Sequence, residues 1–393
     1  MSFENTYKGL RVVDLSQGVA GPYCAMMLAQ HGADVIKVEP HEGDWARGLG
    51  KAYGDMTAFA VAGNLGKRAI ALDLKTTEGY EIVDRLVREA DVFIEGFRPG
   101  VIDKLGFSYE RLSKRDPELI YVSISGFGQT GPLAKKPAMD PVLQAFVGSL
   151  EENKGMDGIP HRTPNVFFDM SCAMYALHSV SAALHLKRDG QGGRRVEVSL
   201  MQAAANITSV RLQSNVCDGP YNPVAAPSGT FETSDGWIQM VAVKDNEFRK
   251  ACKALGLDDI LVDPRFQTSV NRGEHQAYIN GRAADIIAQK TSAEWNRILT
   301  EGDVQNEVVQ TYRDFVRHPH TEATGLVSWL PQEGPEGLWP IPNPPNLPKL
   351  EAGNPRGVVP VRGQHSRDIL AECGFSGEEI DGLIEKGVVL AAR

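Results

Sequence analysis

With 393 residues, 42% of them apolar and 23% charged, the chain is long enough for two domains with full hydrophobic cores and has a globular composition, not a disordered or fibrous one. Its 41 basic and 50 acidic residues leave a net charge of −9, which argues against a general nucleic-acid binder and means that an anionic ligand needs a local basic patch. Five cysteines without paired or metal-ligand spacing, an N-terminus without a basic start and apolar run, and no stretch of membrane-spanning length lead us to expect reduced thiols, a cytoplasmic location, and neither metal nor membrane partner.

In chain order, Leu10–Leu15 reads as a buried strand, Ser16–Pro22 as a turn, and Tyr23–His31 as a helix with Pro22 near its first position and Gly32 beyond its end. Ala33–Glu39 is a second strand, completing a βαβ unit. The alternation continues with strands over Arg68–Leu74, Asp91–Glu95 and Leu119–Ser125, and a helix over Thr77–Ala90 with Ile82, Val83, Leu86 and Val87 inward. Such alternation implies an α/β fold: a mostly parallel, Rossmann-like sheet covered on both faces, with ligands at the carboxyl ends of its strands. Three glycine-containing loops fall at those ends, Gln17–Gly21, Gly96–Gly100 and Gly126–Gly131.

From Met170 onward, Ala173, Met174, Leu177, Val180 and Leu184 recur at helical steps and predict one buried face. Asp169 therefore stands at or just before the first turn of a helix. Two readings are open there: a helix cap accepting hydrogen bonds from unpaired amides, or a nucleophile, since a carboxylate is ionised at neutral pH without a general base.

Arg195–Ser199 is another strand and Met201–Gln213 another helix. Asp218–Pro227 reads as an extended linker, and Ser234-Asp-Gly236 between two short strands as a hairpin. Thr291-Ser-Ala-Glu294 fits a capping box. Pro331–Pro348, rich in proline and glycine, predicts a long irregular excursion. The expected organisation is a large domain over 1–215, a linker over 216–228, a small α+β domain over 229–310, a linker or return segment over 311–350, and a C-terminal part over 351–393 that packs back on the large domain.

The segments Asp14-Leu-Ser16, Ala20-Gly-Pro22, Gly32-Ala-Asp-Val-Ile-Lys-Val-Glu39, Phe97-Arg-Pro-Gly100 and Ser123-Ile-Ser-Gly-Phe-Gly-Gln-Thr-Gly-Pro132, with Asp235-Gly-Trp237 and Asp263-Pro-Arg-Phe266 later, resemble the family III CoA-transferases, the CaiB/BaiF group. The resemblance covers nearly the whole chain in order. It implies that Asp169 carries the acyl group, that coenzyme A enters as a thioester substrate with no tightly bound cofactor, that a free organic acid is the second substrate, and that two copies form an interlocked homodimer threaded through the long linkers. Gln17 is a candidate side-chain donor to the oxyanion. The expected CoA contacts are Val19, Leu72, Lys75, Gly96, Phe97, Arg98, Lys104, Lys136 and Asp140: Lys75, Arg98 and Lys104 lie on segments corresponding to the family's CoA-binding ones, Leu72 and Phe97 offer apolar contact to the nucleotide, and Lys136 is a candidate to close over the pantetheine or phosphates.

Three departures from the family pattern bear on the substrate. Val19 stands where formyl-CoA-type members have glutamine, Gly302-Asp-Val-Gln-Asn-Glu307 stands where Gly-Val-Pro is frequent, and Met139-Asp140 stands where the acyl-CoA racemases have a histidine before the aspartate. A racemase of this fold would therefore lack its second acid/base. Other readings are a nicotinamide-dependent dehydrogenase, with Glu39 as the ribose-binding acid but no third glycine after Gly18 and Gly21; a Cys172 nucleophile with His178, which lie on different faces of a helix; and a CoA-binding scaffold without turnover.

Overall fold

In the computed structural model, which describes residues 2–155, 157–219, 226–334 and 336–392, strand β1 (Arg11–Asp14) lies at the centre of a seven-stranded sheet. Helix α1 (Ala20–Gln30) leads to β2 (Asp34–Glu39), and α2 (Ala58–Asn64) to β3 (Arg68–Leu72). Helix α3 (Thr77–Arg88) precedes β4 (Val92–Glu95), and α4 (Val101–Lys104) and α5 (Tyr109–Arg115) precede β5 (Ile120–Ser125). The short helices α6 (Asp140–Phe146) and α7 (Ser149–Glu152) lead into the long α8 (Phe167–Arg188), which crosses over to β6 (Arg195–Ser199). The sheet order is β12-β3-β2-β1-β4-β5-β6, parallel throughout except for β12 (Val389–Leu390), which runs antiparallel beside β3.

The chain thus builds outward from β1 in one direction and, after β3, returns to build outward in the other. The boundary between β1 and β4 is a topological switch point, where the loops leaving two neighbouring strands part and open a crevice. Alternation along the strands divides the interior in two: Val12, Val92 and Ile94 join residues of α1 and α8 on one face, while Val13, Ile36 and Phe93 join Ile82 and Leu86 of α3 on the other. Gly32, with a φ of +101°, reverses the chain after α1, and the Glu4 carbonyl lies 2.9 Å from where a Cβ would be.

The larger unit runs to Val216 and resumes at Ala323; the other spans Cys217–Glu322. In the smaller one, β7 (Gly229–Glu232), β8 (Trp237–Val241) and β9 (Gln305–Val308) form an antiparallel sheet in the order β7-β8-β9. Phe231, Ile238, Met240, Phe248 and Trp295 fill its core. The Thr291/Glu294 capping box is present, and the Trp295 indole donates to the Ile287 carbonyl at 2.7 Å. The hairpin at Ser234-Asp-Gly236 is also found. Of the expected linker, residues 220–225 lie outside the described residues.

Three local expectations change. The helix after β6 is broken into α9 (Leu200–Ile207) and α10 (Ser209–Val216) at Thr208, whose hydroxyl turns back onto the Ala204 carbonyl. Met174 is 47% exposed, because α8 buries the small residues Cys172, Ala173, Ala176 and Ala183, which let it approach α1 closely. Within 311–350 the chain is more regular than its composition suggests: short helices cover Tyr312–Arg317 and Pro319–Ala323, and β10 (Val327–Pro331) pairs antiparallel with β11 (Leu338–Pro342). Proline is tolerated in that hairpin because each strand of a two-stranded sheet has a free edge.

Candidate active site

Gln17, Leu72, Lys75 and Phe97, four residues expected at the site, line one cavity of about 280 Å³ together with Leu15 and Leu105. The cavity sits where β1, β2, β3 and β4 end. The loops after β1 and β4 are packed together only where they leave the sheet: a Cβ on Gly96 would lie 3.3 Å from Ser16 Cβ. Gln17 is partly exposed, and its side-chain amide has no hydrogen-bond partner among the described residues.

Beneath Gln17 lies a charge cluster that sequence reasoning missed. Asp14, Lys37, Lys67 and Asp44 are all at most 4% exposed. Lys67 Nζ donates to Asp14 Oδ2 at 2.8 Å, to the Pro22 carbonyl at 2.9 Å and to Asn64 Oδ1 at 3.0 Å. Lys37 Nζ donates to Asp44 Oδ2 at 2.9 Å and to the Ser16 carbonyl. Two ammonium groups against two carboxylates leave the cluster neutral, as burial demands, because an unpaired interior charge costs several kcal/mol. Burial pulls Lys67 down to about 8. Burial acts on Lys37 in the same direction but is outweighed by Asp14 and Asp44, so its ammonium form is held. The available signal was a lysine inside the apolar run of β2: a strand covered on both faces has no solvent side for a charge.

A second buried acid supports the loop after β4. Glu95, 1% exposed, accepts from Phe97 N–H at 2.9 Å and from the Ser123 hydroxyl. Burial pushes its carboxyl up to about 7 against those two hydrogen bonds.

Asp169 lies in the first turn of α8, one turn inside its cap. The cap position is Val166, whose side chain accepts nothing; the acceptor for the helix start is Asp140. Its Oδ2 takes Phe168 N–H at 2.7 Å and Asp169 N–H at 3.2 Å, while Gln144 Nε2 donates to its Oδ1 at 2.6 Å. Asp140, expected among the CoA contacts, is 1% exposed with both oxygens engaged inside the fold, so its place is that of a cap donated from another helix. This frees the Asp169 side chain from capping, and among the described residues its carboxylate has no hydrogen-bond donor. Burial, and secondarily the charge of Asp140, pushes it up to about 7.

Asp169 and Gln17 belong to the same end of the molecule. Tyr7 places its ring 5.8 Å from that of His31, just past the end of α1, and its hydroxyl 2.7 Å from Ser181 Oγ in α8. Helices α1 and α8 each return the chain between parallel strands, from β1 to β2 and from β5 to β6, so both run against the strands and in the same direction, with Gln17 just before the start of one and Asp169 at the start of the other.

Lys75, Arg98 and Lys104 are exposed and lack a carboxylate partner among the described residues, which leaves three cations for an anionic ligand. Lys136 is exposed as well, its ammonium 5.5 Å from the Phe127 ring centre. Val19 is half-buried at the cap of α1, where its carbonyl accepts from Tyr23 N–H at 2.8 Å.

The competing readings meet specific obstacles. Glu39, the would-be ribose acid, is 1% exposed and bound by Arg47, whose Nη2 lies 2.9 Å from Oε1. Cys172 is fully buried, with a thiol driven up by burial. Met139, in the place of a racemase histidine, is 51% exposed. Among the described residues, no group of three or more His, Cys, Asp or Glu could hold a metal, and no helix is long and apolar enough to cross a membrane.

Comparison with known proteins gives this geometry its context. The sequence pattern of CoA-transferase family III matches residues 7–366. The chain is 31% identical over 413 residues to an acyl-CoA transferase of Fusarium pseudograminearum (99% of this chain, 89% of the other), and 32% identical over 385 residues to a succinate–glutarate CoA-transferase of Agrobacterium fabrum (93% and 94%). Its fold is similar to the crystal structure of a CaiB/BaiF family protein from Brucella suis, with a TM-score of 0.82 and 30% identity over 94% of this chain and all of that one. With the family pattern matched over residues 7–366 and relatives more than 30% identical along nearly the full chain, the chain belongs to CoA-transferase family III.

Proposed function

We propose that the protein moves CoA from an acyl-CoA to a free carboxylic acid by way of covalent intermediates on Asp169. Asp169 attacks the thioester carbonyl, giving an acyl-aspartyl anhydride and CoA thiolate. The thiolate attacks the aspartyl carbonyl and the donor acid leaves as its carboxylate. The acceptor carboxylate then attacks the aspartyl thioester, releasing CoA thiolate and forming a second anhydride. That thiolate takes the new acyl group and Asp169 is regenerated.

The observation that carries this reading is the state of Asp169. It is a carboxylate at the carboxyl edge of the sheet, relieved of capping by Asp140 and pushed up to about 7, so it is more basic than a solvated aspartate yet substantially ionised near neutrality. Each tetrahedral intermediate calls for an oxyanion donor, and the unpartnered amide of Gln17 is the side chain we assign to it. Leu72, Phe97 and Gly96 line the way for the CoA moiety, with Lys75, Arg98, Lys104 and Lys136 facing its phosphates and Val19 beside the reacting end. For the acceptor we propose a small organic acid of the dicarboxylate class, as in the name of the Agrobacterium relative.

Exposed apolar residues on α8 to α10, among them Tyr175, Ile207 and Val210, support self-association as a homodimer. Incubation with an acyl-CoA followed by hydroxylamine tests the chemistry. Hydroxamate at Asp169, together with CoA exchange between acyl-CoAs and free acids, supports it. Exchange of the α-proton with solvent and no CoA exchange would instead favour the racemase.

A further inference from the structure

We infer that Lys37 and Asp44 are positioning residues for Gln17, fixing its backbone so that the side-chain amide is presented to the reacting carbonyl. This rests on the reading of Gln17 as the oxyanion donor. The two peptide units that flank Gln17 are both held by this ion pair. Lys37 Nζ donates to the carbonyl of Ser16, and Asp44 Oδ1 accepts Gly18 N–H at 2.9 Å. The pair itself closes at 2.9 Å between Lys37 Nζ and Asp44 Oδ2, and Asp44 Oδ1 also accepts Ala46 N–H at 2.9 Å, which fixes the chain beyond it. Both side chains are at most 1% exposed, so these bonds are not shared with solvent.

Two further constraints converge on the same loop. Asp14, paired with Lys37 across neighbouring strands, accepts Ser16 N–H at 3.0 Å. Gly18 has a φ of +85° and lies so close to the Trp45 indole that a Cβ there would come within 2.3 Å of the ring. The backbone on both sides of Gln17 is therefore immobilised while its side chain is left free, which is the arrangement that a preorganised donor needs. Asp44 and Lys37 do not touch the cavity themselves; they act through the loop.

A double-mutant cycle on the full-length protein tests this. Gln17→Ala alone is expected to lower kcat by roughly 10²–10³-fold, the usual effect of losing one oxyanion donor. Lys37→Met with Asp44→Asn removes both charges together and keeps an acceptor for Gly18 N–H, so that no unpaired charge remains from the pair. It is expected to lower kcat by roughly 10-fold or more and to leave KM for the acyl-CoA nearly unchanged. In the Gln17→Ala background the same two changes should lower kcat by less than about 3-fold, because groups that act as a unit are not additive. An equal loss in both backgrounds would overturn the positioning role while leaving the oxyanion reading in place; a silent Gln17→Ala would overturn both. Should the double variant not unfold cooperatively, Asp44→Asn alone completes the same cycle, and an equal or a diminished loss in the Gln17→Ala background is interpreted in the same way.

Discussion

The carboxylate of Asp140 accepts the backbone N–H of Asp169 at 3.2 Å, so one acid holds the helix turn from which the other projects. The two have opposite situations: Asp140 is surrounded by donors, whereas Asp169 has none among the described residues and feels the charge of Asp140. A charged cap thus orients the proposed nucleophile and raises its basicity at once. Asp140→Asn should keep part of the cap and remove the charge, shifting the acid limb of the kcat/KM profile to lower pH by a fraction of the total displacement, since burial is the larger cause. Asp140→Ala should also lose cap stability, about 1 kcal/mol, seen as a lower denaturation midpoint. An unmoved acid limb in Asp140→Asn would separate Asp140 from the chemistry.

The pH dependence of stability has a definite sign. Asp169 binds its proton more tightly in the folded chain than in the unfolded one, with about 7 against an ordinary value of 3.8. Between those values the folded state carries more protons, so this group makes stability fall as pH rises from about 4 to about 7, then level off. Asp169→Asn removes that contribution. The denaturation midpoint of Asp169→Asn relative to the unaltered protein should climb across this window, while its kcat falls by on the order of 10³-fold or more. A pH-independent difference would mean that Asp169 titrates normally.

Glu95 holds Phe97 N–H and with it the loop that carries Phe97 and Arg98. Glu95→Ala leaves that N–H and the Ser123 hydroxyl without their acceptor, at about 1–3 kcal/mol for a buried polar group left unpaired. Glu95→Gln preserves an acceptor. Steady-state kinetics should show KM for the acyl-CoA raised several-fold in Glu95→Ala and little changed in Glu95→Gln, with kcat less affected than KM in both. Equal KM values for the two variants would detach Glu95 from CoA binding.

Lys75, Arg98 and Lys104, all exposed, are the cations we propose for the CoA phosphates in this acidic protein. Neutralising all three should raise KM for the acyl-CoA and flatten its dependence on salt, because exposed charges are screened over about 8 Å at physiological ionic strength. Titrating KM against sodium chloride for both proteins checks this, and parallel salt curves would place the phosphates elsewhere.

The parts of this molecule that could be read in advance are those whose signals are local. Strand β2 announces itself by its apolar run, α3 by Ile82, Val83, Leu86 and Val87, and the smaller unit's Thr291/Glu294 cap by spacing alone. Asp169 was singled out by its place at a helix start and given its role by the resemblance, while Lys75 and Phe97 were named through segments shared with the family. The supports were not legible, because each depends on tertiary neighbours that sequence does not display. Lys37 meets Asp14 only once β1 and β2 are in register, and Asp140 reaches Asp169 across 29 residues. The hairpin of β10 and β11 was hidden by its prolines, which usually argue against strands but fit a two-stranded ribbon.

Isotope transfer tests the central claim most directly. When turnover is run with an acceptor acid whose carboxylate oxygens are heavy, collapse of the second anhydride leaves one acceptor oxygen on the enzyme. Mass spectrometry of the peptide bearing Asp169 should then show that residue gaining heavy oxygen, and the donor acid released in later turnovers should carry it away. Complete CoA exchange with Asp169 remaining unlabelled would contradict the account.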